Sequence, residues 1–287
     1  MTDAADTTRL PDFIGLGAQK AGSSWVYMCL NDHPDITIPE KDPMFFSDET
    51  RFVDELGDYL AAYARAPQTT RVGEFSTTYL QTPGTAKRIY ATAPDARLIV
   101  SLRNPIDRAF SNFKNDVIHG YVSSSMTFEE ALRTRTKYVE RGRYYEQLVP
   151  YLDLFPREQI GIFFFDDIAT DPQSLITAMY RFVGVREHYT PSNLEDQVNA
   201  GRSPRSRFVD TVILGGGRMI NRLMPDSVSW RIRRLNLHER LFNLNAKQDD
   251  RIAGVDAGTR SRLSAEFDDD VTKLEGLTGR DLSAWRA

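Results

Sequence analysis

Two textures of apolar residues alternate along the chain: short, nearly unbroken apolar runs, and longer stretches with apolar residues three or four apart. The short runs are Phe13 to Leu16 (FIGL), Arg97 to Leu102 (RLIVSL) and 161–168 (GIFFFDDI). A run of that length without polar alternation is the pattern of a parallel strand covered on both faces. RVGEFSTTYL (71–80) reads as a further strand that runs into a hydroxyl-rich loop. Between these lie helical patterns: from Trp25 to Leu30, over 51–66 (Phe52, Leu56, Tyr59, Leu60, Tyr63), from Gly84 to Thr92, over Thr127 to Glu140, and over Tyr144 to Phe155. Asn104-Pro105 and Asp171-Pro172 each open a helix, by a capping side chain and a proline whose φ is already helical; Gly184 stops the second. Strands that alternate with helices predict an α/β fold, a parallel doubly wound sheet flanked by helices.

The connections carry their own signals. His33, just before Pro34, reads as a turn residue, because a pre-proline position favours extended backbone. ITIPEKDPMFF is extended, and its Phe45-Phe46 pair is expected in the core with solvated acids around it. Beyond Thr190 the texture changes. Arg202, Arg205, Arg207, Arg218, Arg222, Arg231, Arg233 and Arg234 lie against few acids, so 195–250 reads as an arginine-rich flap or a solvated helical surface. The tail, 251–287, predicts a final helix and a packed Trp285. The whole of 1–287 is read as one domain with its α/β core at 10–190.

Composition narrows this modestly. With 287 residues, 41% hydrophobic and 26% charged, the chain has material for one large α/β domain or two small ones, with ample core. A net charge of −4 argues against a nucleic-acid partner. The single cysteine, Cys29, falls on the apolar face of the first helix, as a buried structural thiol. No stretch approaches the roughly 20 apolar residues that span a bilayer, and Met1 to Arg9 lacks the basic and apolar regions of a signal peptide. The expectation is a cytoplasmic protein without an integral membrane segment.

The chemistry is concentrated where the first strand meets the first helix, in FIGLGAQKAGSSW. Amides at a fresh helix N-terminus lack internal partners and carry partial positive charge, so such a turn seats an anion. Gly22 allows close backbone approach, Ser23 and Ser24 offer hydroxyls, and Lys20 adds a mobile charge. The nucleotide-triphosphate loop requires GxxxxGK followed by Ser or Thr, whereas Lys20 precedes Gly22 here. A second turn of the same kind follows a later strand, in SLRNPIDRAFSNF. Arg103 leaves the strand's carboxyl end, where open α/β sheets bind ligands, and Ser111 lies two turns into the helix. Taken singly, the first turn also fits an empty strand end, and Arg103 a structural ion pair.

Together, KxGSS after one strand and RNPxxRxxSxF after another resemble the paired phosphate signatures of the sulfotransferases that use 3'-phosphoadenosine 5'-phosphosulfate (PAPS). The resemblance is closest to the heparan sulfate branch and its bacterial relatives. It extends through HPDI, the FF segment, GExSxTYL, GxYYEQLxPYLxxF, QIGIFFFDD and the helix ending FVGV, from about Asp12 to Val185. It implies a P-loop-like sulfotransferase fold with a mainly helical C-terminal part. It also implies a 5'-phosphosulfate cradle of Gln19, Lys20, Ala21, Gly22, Ser23 and Ser24, with Lys20 neutralising the departing charge. Arg103 and Ser111 would bind the 3'-phosphate, and Arg205, in SPRSR where the family carries SKGR, would close over the donor.

The family's base is a glutamate before the FF pair; Asp42 stands there, with Glu40 and Glu74 in reserve. Phe75 stands where the family carries a lysine. The implied reaction passes the sulfuryl group of PAPS to a small-molecule or carbohydrate hydroxyl, releasing 3',5'-phosphoadenosine (PAP), and needs no metal. The rival readings are an ATP-dependent kinase and a PAPS- or PAP-binding protein without catalysis.

Overall fold

Phe13–Gly17 (β1) is buried along its whole length and carries a parallel neighbour on each side. The computed structural model describes residues 9–123, 125–195, 202–204, 246–248 and 254–287. With Ile36–Thr37 (β2), Arg71–Phe75 (β3), Arg97–Leu102 (β4) and Ile160–Phe164 (β5), β1 forms a five-stranded sheet of order β2-β3-β1-β4-β5, parallel throughout. Side chains of a strand alternate between faces, and both faces here are apolar because both are covered. Ile14, Leu16, Leu98 and Val100 join a core with Phe45, Phe46, Tyr59 and Tyr79. Phe13 and Ile99 point the other way, into a core with Trp25, Cys29, Leu30, Ile176 and Tyr180.

That second core is roofed by Ser23–Asp32 (α1) and by a helix at Pro172–Val183 near the end of the α/β part. Cys29 is fully buried in it, as expected. His33 is a turn residue and also a core one: it is 0% exposed, its Nε2 lies 3.0 Å from the Arg186 carbonyl, and its ring packs on Tyr180 and Tyr189. Phe45 and Phe46 are buried, with Phe45 stacked on Tyr59 at 4.2 Å.

Three sequence expectations are corrected in detail. The helix over 51–66 is two, Glu49–Asp54 (α2) and Leu56–Ala64 (α3), parted at Glu55 where φ is −117° and ψ 11°. After Thr85–Thr92 (α4) and Pro105–Ile118 (α5), the helix over 127–140 is also two, Phe128–Thr134 (α6) and Lys137–Glu140 (α7); Arg135 between them is extended. The last apolar strand ends at Phe164 rather than 168. Tyr144–Leu152 (α8) precedes it, and Asp166–Thr170 (α9) follows before Pro172–Val183 (α10).

The reason for the early end of β5 lies far along the chain. Asp166 accepts a hydrogen bond from the Trp285 indole at 2.9 Å, and Asp167 binds Arg280 through two contacts of 2.6 Å. The tail is helical, as expected: Ala257–Thr278 (α11) buries Leu263, Phe267, Val271 and Leu274. Its Asp270 accepts from the backbone N–H groups of Tyr145 and Glu146, completing the start of α8. Gly142 is required where α11 crosses, since a Cβ there would lie 2.8 Å from the Phe267 ring. Arg202–Pro204 (β6) and Ala246–Gln248 (β7) pair antiparallel. The rest of the arginine-rich segment, Arg205 included, lies outside the described residues.

Candidate functional site

Strand order decides where the two anion-binding turns meet. The chain leaves β1 toward β2 and β3 on one flank and reaches β4 on the other, so β1 and β4 are neighbours whose onward connections diverge. A sheet opens a crevice at the carboxyl ends of such a pair. The Lys20 turn follows β1 and Arg103 follows β4, so both stand at that crevice. Their contact is direct: an Arg103 Nη lies 3.5 Å from the Lys20 carbonyl, at the long limit of a hydrogen bond.

The turn is pinned from beneath by β4. Ser101 accepts the Ala18 N–H at its carbonyl, and its hydroxyl donates to the Ala21 carbonyl at 2.6 Å. Lys20 and Gly22 both have positive φ, 70° and 82°. At Gly22 only glycine fits, because a Cβ would lie 2.8 Å from both Phe165 and Ile168. Gly22 is also the N-cap of α1, and it gives the first turn no side-chain cap. The other longer helices differ: α5 is capped by Asn104, α10 by Asp171 and α11 by Asp256. The opening amides of α1, with half-buried Ser23 and Ser24 beside them, therefore present donors at the crevice.

Cations gather around those amides. Lys20 donates from Nζ to Asn115 Oδ1 of α5 at 3.0 Å. Burial holds its pKa below the usual lysine value, and Arg103 and Lys114 push the same way against Asp116. Arg141 donates to Gln19 Oε1 at 2.7 Å, and burial lowers its pKa too. Arg103 stacks over Phe165 at 4.4 Å, and its carbonyl accepts from the Tyr144 hydroxyl. Among the described residues, Lys20, Arg103 and Arg141 are held by carbonyl and amide oxygens or a ring rather than by a carboxylate within ion-pair distance. Ser111 is half-buried on α5, one turn before Asn115 and so on the same face. The geometry thus collects Gln19 to Ser24, Arg103 and Ser111, and adds Asn115 and Arg141.

The candidate bases separate. Asp42 is half-exposed with φ 51°; its Oδ1 accepts the Thr77 N–H at 2.9 Å and its own N–H donates to the Phe75 carbonyl. Glu40 is exposed. Glu74, expected as a reserve, is 0% exposed; its carboxyl takes hydrogen bonds from Tyr59 at 2.8 Å and Tyr79 at 3.1 Å. Burial pushes its pKa up to about 8. In this arrangement Glu74 is a core group held by two tyrosine hydroxyls.

The sulfotransferase domain family model matches residues 10–200. A solved sulfotransferase from Alicyclobacillus acidocaldarius superposes with a TM-score of 0.69 at 28% identity, over 97% of this chain and 100% of that one. A bifunctional heparan sulfate N-deacetylase/N-sulfotransferase of Caenorhabditis briggsae is 26% identical over 200 residues, 62% of this chain and 23% of the relative. The bifunctional heparan sulfate N-deacetylase/N-sulfotransferase 2 of Homo sapiens is 27% identical over 197 residues, 62% of this chain and 22% of the relative. The chain therefore spans less than a quarter of those curated relatives. Among the described residues no helix is long and apolar enough to cross a membrane. With its parallel sheet, its two strand-end turns and a family match over most of the α/β part, the chain belongs to the sulfotransferase family.

Proposed function

We propose that the protein transfers a sulfuryl group from PAPS to a hydroxyl carried on a carbohydrate, releasing PAP. One observation carries the reading: half-buried cations and the uncapped start of α1 converge on the crevice between β1 and β4, and among the described residues no carboxylate stands within ion-pair distance of Lys20, Arg103 or Arg141, Asp116 acting on Lys20 and Arg141 only from farther off. Desolvated cations that repel one another favour a multiply charged anion. PAPS fits that demand, with an anionic group at each end of one adenosine. A carbohydrate acceptor is favoured by the curated relatives, whose names place them on heparan sulfate.

In this reading the amides of Gly22, Ser23 and Ser24 hold the 5'-phosphosulfate, with Gln19 and Ala21 shaping the turn. Arg103 and Ser111 hold the 3'-phosphate, and Arg205 closes over the donor. Asp42 accepts the proton of the acceptor hydroxyl, whose oxygen forms the new bond to sulfur. The bond from sulfur to the 5'-phosphate oxygen breaks, its electron pair stays on phosphate, and Lys20 offsets that developing charge. Positioned donors of this kind are each worth about 10²–10³ in rate. No step calls for a metal.

The test is transfer from radiolabelled PAPS to a panel of sugars, phenols and a free amino sugar, with PAP and ATP binding measured in parallel. Labelled sugar ester and tight PAP binding are the expected result. Tight ATP binding with phosphoryl transfer would replace the reading by a kinase. PAP binding with no transfer to any acceptor would leave a nucleotide-binding protein without catalysis.

A further inference from the structure

Lys41 belongs to neither anion-binding turn, yet its side chain ends at one of them. Its backbone bridges in parallel to Phe75, the last residue of β3, on the edge that β2 pairs with further back. From there Nζ reaches Ser24 Oγ at 3.3 Å and lies 4.9 Å from the centre of the Tyr27 ring. Ser24 is in the first turn of α1, the turn that Gly22 leaves without a side-chain cap. The two lysines come to this turn from opposite sides. Lys20 leans toward α5, beyond β4, whereas Lys41 arrives over the β3 flank. The residue after Lys41 is Asp42, fixed on the same flank by Thr77 N–H and the Phe75 carbonyl.

We infer that Lys41 is a second donor-binding cation, whose ammonium contacts the sulfuryl oxygens of bound PAPS. This rests on the PAPS reading and adds a division of labour to it. The α1 amides and Lys20 serve the 5'-phosphate, which keeps its charge after transfer. Lys41 stands on the side from which the acceptor must come, because Asp42 is there. An attacking oxygen that is losing its proton approaches a group already bearing negative charge. A cation resting on that group reduces the repulsion, and the cation–π contact with Tyr27 holds it in place at little cost in rotamer freedom. In this role Lys41 exchanges no proton with either reactant.

PAPS and PAP differ only by the sulfuryl group, so their affinities isolate the contact without a known acceptor. Calorimetric titration of the full chain with each should show that Lys41→Met weakens PAPS by about 10–100-fold, as expected for loss of a charge-assisted hydrogen bond, while PAP stays within about twofold. Lys41→Arg should restore most of the PAPS affinity. The unchanged PAP affinity also reports an intact fold. Equal losses for PAPS and PAP would put Lys41 on the 5'-phosphate and overturn the assignment. No loss for either would make Lys41 a packing residue on Tyr27, which also overturns it. If the unaltered protein binds neither, the PAPS reading itself is what fails.

Discussion

Glutamine in place of Glu74 should change stability by an amount that depends on pH, and the sign reverses in the mildly acidic range, just above pH 5. The carboxyl is fully buried under the hydroxyls of Tyr59 and Tyr79, and its pKa is raised from 4.5 to about 8, chiefly by burial. Between those values the folded chain holds a proton that the unfolded chain has released. Stability from this group is therefore fully present below about pH 4.5 and is lost as pH rises toward 8. Each unit is worth about 1.36 kcal/mol, so the loss is about 3 kcal/mol by pH 7 and about 5 over the window, as upper figures.

Glutamine carries no such proton. It keeps one acceptor for the tyrosines but adds an N–H that must find a partner, at about 1 kcal/mol. The variant should be slightly less stable than the parent at pH 5, and more stable by up to about 3 kcal/mol at pH 7.5. Urea unfolding at half-unit pH steps reads this directly. Parallel stability–pH curves for the two proteins would refute the reasoning, since Glu74 would then titrate normally. Transfer activity should survive the change, because the account gives this carboxyl no part in the chemistry.

Other substitutions address the site itself. Lys20→Ala should lower turnover by about 10²–10³ without lowering the melting temperature, since the ammonium it removes is buried at a cost; near-normal turnover would take the lysine out of the mechanism. Asp42→Asn should bind PAP like the parent and lose transfer, and a still-active variant would discard Asp42 as the base. Gly22→Ala forces a Cβ to 2.8 Å from Phe165 and Ile168 at φ 82°, and should cost about 1–3 kcal/mol together with PAP affinity. An unchanged melting curve and PAP affinity would contradict the packing argument.

What the sequence disclosed is what short-range physics writes into it. The strand-turn-helix from Phe13 to Leu30 was legible because a buried strand, a glycine and two serines are contiguous. Asn104-Pro105 and Asp171-Pro172 marked true helix starts, since capping and proline geometry act within three residues. The order of strands was not legible, although it is what places the Lys20 turn beside Arg103. The breaks at Glu55 and Arg135 were missed because the apolar spacing continues across both. The end of β5 was misread because Asp166 and Asp167 are claimed by Trp285 and Arg280, more than a hundred residues on. Asn115 and Arg141 reach the turn across separations of 95 and 122 residues, with no local signal. Lys41 is the instructive case. The sequence revealed a phenylalanine at 75 where the resembled family carries lysine, but only the bridge between 41 and 75 shows a lysine reaching the turn from the adjoining strand edge.

The central claim is that one doubly phosphorylated adenosine spans the Lys20 turn and the Arg103 turn. The direct measurement is calorimetric titration of PAP and AMP, which differ only in the 3'-phosphate, into the unaltered protein and Arg103→Ala. The account predicts that the unaltered protein prefers PAP strongly, and that the variant loses at least about tenfold for PAP with AMP nearly unchanged. Equal affinities for PAP and AMP before substitution, or equal losses after it, would contradict it.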